Sequence, residues 1–264
     1  MSYYLNIRGE LLDLSCPRVM GVINVTPDSF YQCSRAENEA EIIARAELIL
    51  SQGGDFIDIG ACSTRPQSVP ASEDEERERL RWALPVIRRH FPDARLSLDT
   101  FRANIARECI EEYGVDIIND CSEGSDERMF DVMAKTGTPY ILTSNRRNLH
   151  DTLMAFADKV QRLRELGQKD IILDAGFGFG KSMDENFAIL RDLDKLLCME
   201  LPLLVGVSRK SMIWKTLATS PDEALAGTTA ANTIALMNGA SILRVHDVRE
   251  ACETIKIVKK CFSA

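Results

Sequence analysis

The chain has little of what marks nucleic-acid-binding, membrane or secreted proteins. Its formal net charge is −8, which excludes a global basic field for nucleic acid, so any anion site must be built locally. No apolar run approaches the ~20 residues that a membrane span needs. Charged residues near the N-terminus, namely Arg8, Glu10 and Asp13, argue against a signal peptide. We therefore expect no membrane and no nucleic-acid partner.

The cysteines lack the spacing of a metal site or a disulfide framework. Eight are present, and no two of them form a C-x-x-C pair. In a chain of 264 residues this usage is typical of reduced thiols in a cytosolic protein. No Ser/His/Asp or Cys/His pairing for nucleophilic catalysis is evident either. The sequence therefore predicts a cytoplasmic protein without a covalent nucleophile.

What the sequence does contain is a regular alternation of short apolar runs and helical segments. Eight strands that alternate with helices build a (β/α)8 barrel, and 264 residues is a typical length for one. We predict an α/β protein, a (β/α)8 TIM barrel in a single domain over residues 1–264. The eight predicted strands are 19–23, 56–59, 96–98, 115–118, 140–142, 171–173, 203–207 and 242–245.

Polar residues able to bind or react end or follow seven of these eight runs. Such barrels place their active sites at the C-terminal ends of the strands, so these residues should converge in one ring. The fifth run leads into residues 143–147, which offer no obvious anchor. The predicted ring contains Asn24, the Ser63-Thr64-Arg65 cluster, Asp99, Asn119, Asp174, Lys210, Arg244 and His246.

Other segments complete the predicted fold. In residues 1–16, apolar and polar side chains alternate on both sides of Gly9, which predicts a β-hairpin. We interpret this hairpin as a plug over the bottom of the barrel. Helices are predicted at 37–52, 72–89, 151–166 and 221–238. Ser72 with Glu75 three residues later forms a capping box, and Pro85 should kink that helix or end it early.

Seven stretches, in order and at matching spacing, carry a resemblance that covers almost the whole chain. The sequence resembles the dihydropteroate synthase family, folate-pathway enzymes that sulfonamides inhibit. The resemblance implies condensation of 6-hydroxymethyl-7,8-dihydropterin diphosphate with 4-aminobenzoate, giving 7,8-dihydropteroate and pyrophosphate, by a homodimer. The stretches are 20–30 (MGVINVTPDSF), 58–60 with 63–66, 98–100, 118–120, 174–181 (DAGFGFGK), 208–211 (SRKS) and 244–247.

By this resemblance, Asp99, Asn119, Asp174 and Lys210 form the pterin pocket. The residue types suit the ligand, because a carboxylate such as Asp174 can accept from an amino group and a ring N–H side by side. Asn119 offers both a donor and an acceptor, whereas Lys210 offers donors only. Asp99 supplies a second carboxylate. We expect Lys210, Asp99 and Arg244 to be the catalytic residues.

The diphosphate should bind near the end of the last strand. Arg244 and His246 lie two apart on that strand and so point to the same side, in the region where barrels often bind phosphate. Charge there would stabilise the leaving pyrophosphate. Together with Thr64 and Asn24 they form the predicted diphosphate site. By resemblance Asn24 also binds Mg²⁺, an ion that usually keeps several waters and uses substrate phosphates.

The second substrate, 4-aminobenzoate, should bind between loops at the same end of the barrel. The resemblance assigns it to Phe30, Thr64, Arg65, Pro66 and Ser211. Closure of these loops would exclude water from a reactive cationic intermediate.

The chain departs from the family pattern at three places. Tyr31-Gln32-Cys33-Ser34 replaces the usual Ser-Asp-Gly-Gly, and Ala175 replaces a proline. After the fifth strand, residues 143–148 replace His-Met-x-Gly-x-Pro and a longer connection, so the pterin pocket should lose one wall. Two alternatives stay open: a corrinoid-linked methyltransferase of the pterin-binding superfamily, which has no use for Arg244 and His246, and a non-catalytic pterin-binding paralogue.

Overall fold

An antiparallel hairpin precedes the barrel strands. The computed structural model describes residues 3–25, 38–62 and 71–262. The hairpin consists of β1 (Tyr4–Ile7) and β2 (Glu10–Asp13), which pair in register from Tyr4 opposite Asp13 to Ile7 opposite Glu10. Gly9 sits in the left-handed region at φ 85° within the turn, a conformation that glycine adopts without strain. The predicted N-terminal hairpin is confirmed.

Eight parallel strands then close into a barrel, in which each strand pairs with the next along the chain and the last pairs with the first. The fold predicted from the sequence, an α/β (β/α)8 TIM barrel, is confirmed. A single domain over residues 1–264 remains a prediction. The barrel strands are β3 (Arg18–Asn24), β4 (Phe56–Gly60), β5 (Leu96–Asp99), β6 (Ile117–Asp120), β7 (Tyr140–Thr143), β8 (Ile171–Asp174), β9 (Leu203–Val205) and β10 (Ala240–Val245).

Helices surround the barrel on its outside. Among the described residues none is long and apolar enough to span a membrane. The helices are α1 (Glu39–Ser51), α2 (Glu73–His90), α3 (Ala103–Tyr113), α4 (Arg128–Thr136), α5 (Leu149–Glu165), α6 (Met183–Arg191), a 3-10 helix (Leu193–Met199), α7 (Ser211–Thr216), α8 (Leu225–Met237) and α9 (Val248–Phe262).

The predicted capping box of α2 is present, with Ser72 and Glu75 each accepting from the other's main-chain N–H. Pro85 lies inside this helix, yet the helix continues to His90, so Pro85 does not end it. Proline removes one main-chain donor. The buried side chains of Leu84 and Ile87 on either side of Pro85 pack into the core and hold the helix in place.

The hairpin plugs one end of the barrel, as predicted. Leu5, Ile7 and Leu14 form a separate apolar cluster with inward-facing side chains from the N-terminal halves of the barrel strands. Polar hydrogen bonds hold the hairpin in place. The Arg8 guanidinium donates to Asp116 at 2.6 and 2.8 Å, and the Asn6 N–H donates to Asp170 at 2.9 Å. The strand residues of the cluster are Met20, Phe56, Ile117, Ile141, Ile172, Leu204 and Ile242.

The interior becomes polar toward the other end. Four strands carry a polar residue two positions after their residue in the apolar cluster. Asp58 follows Phe56, Asn119 follows Ile117, Asp174 follows Ile172 and Arg244 follows Ile242. Alternate residues of a strand point to the same face, so these side chains enter the barrel above the apolar layer. Five strands, β3 and β5 to β8, end on a polar residue. The barrel therefore has one polar mouth, at its C-terminal end.

Candidate active site

Three predicted site residues lie side by side across neighbouring strands. Asn24 pairs in register with Gly60, Gly60 with Asp99, and Asp99 with Asn119. Adjacent strands lie about 4.8 Å apart, so these residues form one row across the barrel mouth. Gly60 has no side chain, and a Cβ there would lie 3.1 Å from Asn24 Oδ1 and 4.0 Å from Asp99 Oδ2. The row therefore offers amide and carboxylate oxygens around the position above Gly60.

Arg244 bridges two carboxylates: that of Asp58, which lies below this row, and that of Asp99, which belongs to it. Its Nε and Nη2 lie 2.7 and 2.6 Å from one oxygen of Asp58, and Nη2 lies 2.9 Å from Asp99 Oδ2. Burial opposes the charge of Arg244, but the two carboxylates raise its pKa above the ordinary value. Burial also raises the pKa of Asp99 to about 7, against the opposing effect of Arg244. Arg244 is thus a fixed cation at the centre of the barrel.

Asp58 joins three other polar side chains inside the barrel, and its own side chain is 0% exposed. Besides Arg244, it accepts from Ser97 Oγ at 2.5 Å and from Asn119 Nδ2 at 3.3 Å. Sequence reasoning placed Asp58 in a matched stretch but gave it no role. The sequence did contain a signal for such a role, because a carboxylate within an otherwise apolar buried strand must find polar partners.

Asp174 is buried at the end of β8 and accepts from the Gly176 N–H at 2.8 Å. Burial raises the pKa of its carboxyl, against the opposing charge of Lys210. Gly176 has φ 68°, and a Cβ at this position would lie 2.0 Å from the Ser144 carbonyl oxygen. Only glycine fits there. The turn after Asp174 therefore packs directly against the segment that follows β7.

Lys210 reaches the same region from the loop after β9. Its ammonium donates to the Phe177 carbonyl and lies 5.2 Å from the centre of the Phe179 ring. A Cβ at Gly178 would lie 3.2 Å from Lys210 Cδ, so glycine there allows the lysine to pass. Burial lowers the pKa of Lys210 to about 8, against the opposing charge of Asp174. Lys210 remains mostly protonated at neutral pH.

The neighbouring Arg209 holds that loop in an unusual backbone conformation. Its φ is 54°, in the left-handed region that non-glycine residues rarely adopt. Two hydrogen bonds of 2.8 Å join its guanidinium to Asp247, and two of 2.7 Å join it to the carbonyls of Pro221 and Asp222. These four bonds offset the backbone strain and fix the position from which Lys210 extends.

His246 is neutral in this environment. Ser208 Oγ accepts from the His246 main-chain N–H at 3.2 Å and lies 3.1 Å from its Nδ1. The serine hydrogen is then available to donate to Nδ1, which places the ring proton on Nε2. Burial, with the charges of Arg244, Arg45 and Arg209, lowers the pKa of His246 to about 3. His246 therefore offers a neutral N–H donor, and the positive charge comes from Arg244.

The segment after β7, residues 144–148, is held from two sides and is called the fifth loop below. Glu123 accepts from the Asn145 N–H and from Arg146 Nε, both at 2.9 Å. Lys181 donates to the Ser144 carbonyl at 3.2 Å and to the Gly176 carbonyl at 2.7 Å. Burial lowers the pKa of Lys181 to about 8. The short loop is therefore ordered by charged neighbours on the adjacent loops.

Comparison with known proteins places this geometry in a family. Residues 20–246 match the family described as pterin binding enzyme. The dihydropteroate synthase of Escherichia coli strain K12 is 36% identical over 272 residues, covering 97% of this chain and 96% of the relative. The chain belongs to the dihydropteroate synthase family.

Solved dihydropteroate synthases share the whole fold. The Yersinia pestis dihydropteroate synthase in complex with a sulfonamide drug superposes with a TM-score of 0.92 at 37% identity, over 99% of both chains. The Coxiella burnetii dihydropteroate synthase in complex with pteroic acid superposes with a TM-score of 0.91 at 33% identity, over 98% of both chains. The resemblance identified from the sequence is confirmed.

The structure brings most of the residues expected for a dihydropteroate synthase to one end of the barrel. Asn24, Asp99, Asn119, Asp174, Lys210, Arg244 and His246 all lie there. Ser211 follows as the exposed first residue of α7. Four of the predicted substrate-binding residues, Phe30, Thr64, Arg65 and Pro66, lie outside the described residues, as does the altered stretch 31–34.

Four further residues contact this constellation and were missed by sequence reasoning as site residues. Asp58 and Ser97 lie within strands, where a polar residue looks like an interruption of an apolar run. Ser208 and Lys181 lie in matched stretches, beside residues with more obvious chemistry. Asp58, Ser97 and Ser208 find these partners on or directly after other strands, and Lys181 also reaches Ser144 in another loop, so the folded barrel is needed to reveal these contacts.

Proposed function

We propose that this member of the dihydropteroate synthase family condenses 6-hydroxymethyl-7,8-dihydropterin diphosphate with 4-aminobenzoate, giving 7,8-dihydropteroate and pyrophosphate in folate biosynthesis. The observation that carries the proposal is the convergence of Asp99, Asn119, Asp174 and Lys210 around Arg244 at one barrel mouth. The Coxiella burnetii relative, which shares the fold over nearly its full length, binds pteroic acid. A pterin with an attached leaving group suits this combination of carboxylates, amide and cations.

The pterin ring is recognised by its polar edge. Asp174, whose charged form the cations Lys210 and Lys181 favour against the effect of burial, accepts from the amino group and the adjacent ring N–H. Lys210 donates to the pterin carbonyl and ring nitrogen once the ligand replaces the Phe177 carbonyl as its partner. Asn119 and Asp99 accept from the remaining ring N–H groups. Asn119 and Asp174 are buried, and Asp99 and Lys210 are half-buried, so leaving these groups unpaired is costly and a ligand of matching pattern is favoured.

The diphosphate lies over Arg244 and His246. Arg244 supplies a full positive charge, and His246 supplies a neutral donor from Nε2. Thr64 completes this set in the proposal. Donors fixed in position before the reaction stabilise charge as it develops on the leaving pyrophosphate.

Mg²⁺ is the proposed cofactor, and the residues at the end of β3 fit it. Among the described residues, no cluster of three or more His, Cys, Asp or Glu side chains could hold a metal alone. Mg²⁺ binds through few protein oxygens, with water and substrate phosphates completing the shell. Asn24 Oδ1, near the open position above Gly60, is an oxygen of this kind and would hold the ion. When bound, Mg²⁺ neutralises charge on the diphosphate oxygens.

In the reaction the bond between the pterin methylene and the diphosphate oxygen breaks, and its electron pair leaves with pyrophosphate. The methylene cation is delocalised into the electron-rich ring. The amine of 4-aminobenzoate attacks it, forms the new C–N bond and loses one proton. The protein contributes orientation, fixed charge and exclusion of water, and no protein nucleophile is needed.

The second substrate binds at the outer edge of the mouth in this proposal. Ser211, exposed at the start of α7 directly after Lys210, lies beside the pterin site and would contact the carboxylate of 4-aminobenzoate. Phe30, Thr64, Arg65 and Pro66 are the other proposed ligands. Since sulfonamide drugs bind the Yersinia pestis relative, we propose that they also inhibit this protein.

We also propose a cytoplasmic homodimer. α8 and α9 pack against each other and leave large apolar side chains exposed, including Ile234 (44%), Met237 (59%) and Ile257 (67%). Large exposed apolar side chains on two neighbouring helices favour contact with another protein surface. Sedimentation at micromolar concentration tests the assembly, and a monomer would contradict it.

One assay tests the reaction. Purified protein is supplied with both substrates and Mg²⁺, and the release of pyrophosphate is followed together with formation of dihydropteroate. We expect both products, and neither when 6-hydroxymethyl-7,8-dihydropterin replaces its diphosphate. Pterin binding without pyrophosphate release would contradict the synthase and favour the non-catalytic paralogue. Methyl transfer from a methylated pterin to a corrinoid would instead favour the methyltransferase.

A further inference from the structure

We propose that Asp58 is a positioning residue: it sets the directions in which Arg244 and Asn119 present their polar groups to the pterin diphosphate. This inference rests on the proposed function, because it takes Arg244 and Asn119 to be substrate ligands. Asp58 itself lies one layer below the mouth, with no exposed surface, and does not touch substrate. Its effect must therefore pass through the residues that it holds.

The guanidinium of Arg244 is fixed in its plane by Asp58. One oxygen of the Asp58 carboxylate accepts from both Nε and Nη2 of Arg244, at 2.7 and 2.6 Å, and Nη2 also donates to Asp99. A planar group with two nitrogens bound to one oxygen has little freedom to rotate. These bonds use Nε and Nη2, and Nη1 has no partner in the described part of the chain. Asp58 thus leaves one guanidinium nitrogen for the substrate anion.

The amide of Asn119 is oriented by the same oxygen. Asn119 Nδ2 lies 3.3 Å from Asp58 Oδ2, and an ionised carboxylate can only accept. The amide nitrogen must therefore face Asp58, which turns the amide oxygen away from it. Asn119 then presents an acceptor to the ligand, suited to an amino group or a ring N–H.

Ser97 holds Asp58 in turn. Its hydroxyl donates to Asp58 Oδ1 at 2.5 Å, so both carboxylate oxygens are engaged and the side chain has one orientation. In the described part of the chain no hydrogen bond joins the Ser97 side chain to Arg244 or Asn119. Removal of its hydroxyl is therefore a mild perturbation that acts on the site through Asp58 alone.

Electrostatics and positioning predict opposite signs for the loss of Asp58. Replacement of Asp58 by a neutral residue makes the site more positive by one charge, which by itself would strengthen the binding of a diphosphate. Loss of the bonds that orient Arg244 and Asn119 would weaken it. The direction of the change therefore separates a positioning role from a mere contribution to net charge.

The test compares four variants by calorimetry with 6-hydroxymethyl-7,8-dihydropterin diphosphate and its unphosphorylated alcohol. Asp58→Asn keeps an acceptor oxygen but loses the charge, and we expect roughly tenfold weaker diphosphate binding. Asp58→Leu also removes the acceptor, and we expect a loss of roughly a hundredfold. Ser97→Ala should cost about threefold or less.

The matched control is Asp116→Asn, at the opposite end of the barrel. Asp116 is also a buried carboxylate, paired with Arg8 and Arg88 and accepting from the Leu96 N–H. Asp116→Asn should lower the melting temperature as Asp58→Asn does, while the affinity for both pterins stays within about twofold of the parent value.

The outcomes are distinct. Weaker diphosphate binding in the order Ser97→Ala, Asp58→Asn, Asp58→Leu, with Asp116→Asn unchanged, would support the inference. Unchanged or tighter binding in folded Asp58→Asn would overturn it, as would equal losses in Asp116→Asn. A parent protein that binds neither pterin would overturn the proposed function, and this inference with it.

Discussion

The ammonium group of Lys181 donates a hydrogen bond to the main-chain carbonyl of Ser144, at 3.2 Å. It thereby joins the loop after β8 to the fifth loop, which is shorter than the family pattern. Glu123 holds the fifth loop from the other side through Asn145 and Arg146. The altered loop is thus held in place by two charged residues of its neighbours, Lys181 and Glu123.

The first prediction concerns leakage of the cationic intermediate to water. We expect this protein to release more pyrophosphate than it forms dihydropteroate at saturating 4-aminobenzoate, compared with a relative that has the full His-Met-x-Gly-x-Pro loop. An open side admits water, and Lys181→Met should raise the ratio further because it frees Ser144. Lys169→Met, an exposed lysine before β8, is the control. A ratio of about one in the parent would refute the leakage.

A second prediction concerns Asp174 as the partner of the pterin ring. Asp174→Ala should cost roughly 2–5 kcal/mol of pterin affinity, because buried ring donors lose a charged acceptor. That corresponds to a loss of on the order of 30-fold to several thousandfold, measurable by calorimetry. Asp170→Ala is the control, since Asp170 precedes the same strand and its carboxylate accepts from the hairpin residue Asn6 at the opposite end. Unchanged affinity in folded Asp174→Ala would rule out this pairing.

The buried ion pair itself gives a third prediction, about stability. Arg244→Gln leaves Asp58 charged, fully buried and without its cation, so the free energy of unfolding should fall by about 3–5 kcal/mol. Adding Asp58→Asn removes that uncompensated charge, and the double variant should recover at least half of the loss. Urea denaturation of the parent, both single variants and the double variant measures this. A double variant less stable than Arg244→Gln would contradict the expectation.

The fourth prediction concerns pH. Burial lowers the pKa of Lys210 to about 8, so its charge is fully present only well below that pH and is lost as pH rises through it. The affinity for the pterin alcohol should therefore fall between pH 7 and pH 9 in the parent. Lys210→Arg keeps its charge over this range and should show a smaller fall. Titration of the ligand affects both proteins equally, so parallel curves would exclude Lys210 as the titrating group.

Much of the barrel could be predicted because the strands are short, mainly apolar runs that lie inside a parallel sheet. The predicted ends fell short where the last strand residue is polar, as at Asp99, Thr143 and Asp174. Main-chain pairing does not depend on the side chain, so the ladder continues one residue past the apolar run. The opposite error occurred in β9, predicted to residue 207 but ending at Val205, before the loop that carries Lys210.

The polar residues at the strand ends could also be predicted, since the fold dictates where they converge. Their pairing could not. Arg244 contacts Asp58 and Asp99 across 186 and 145 residues of sequence, and these contacts exist only once the last strand meets the first. The neutral state of His246 has the same origin, because it depends on burial and on charges that include Arg45 of α1 and Arg209 and Lys210 of the loop after β9.

The hairpin that plugs the bottom of the barrel also bears on how the chain reaches this fold. Arg8 and Asn6 bind Asp116 and Asp170, which lie 108 and 164 residues further along the chain. During synthesis these hairpin residues emerge long before their partners, and the apolar layer of Met20, Phe56 and Ile242 cannot close until β10 is made. Contacts of such long range slow folding, so the plug and the active-site mouth should form together, late, in one cooperative step.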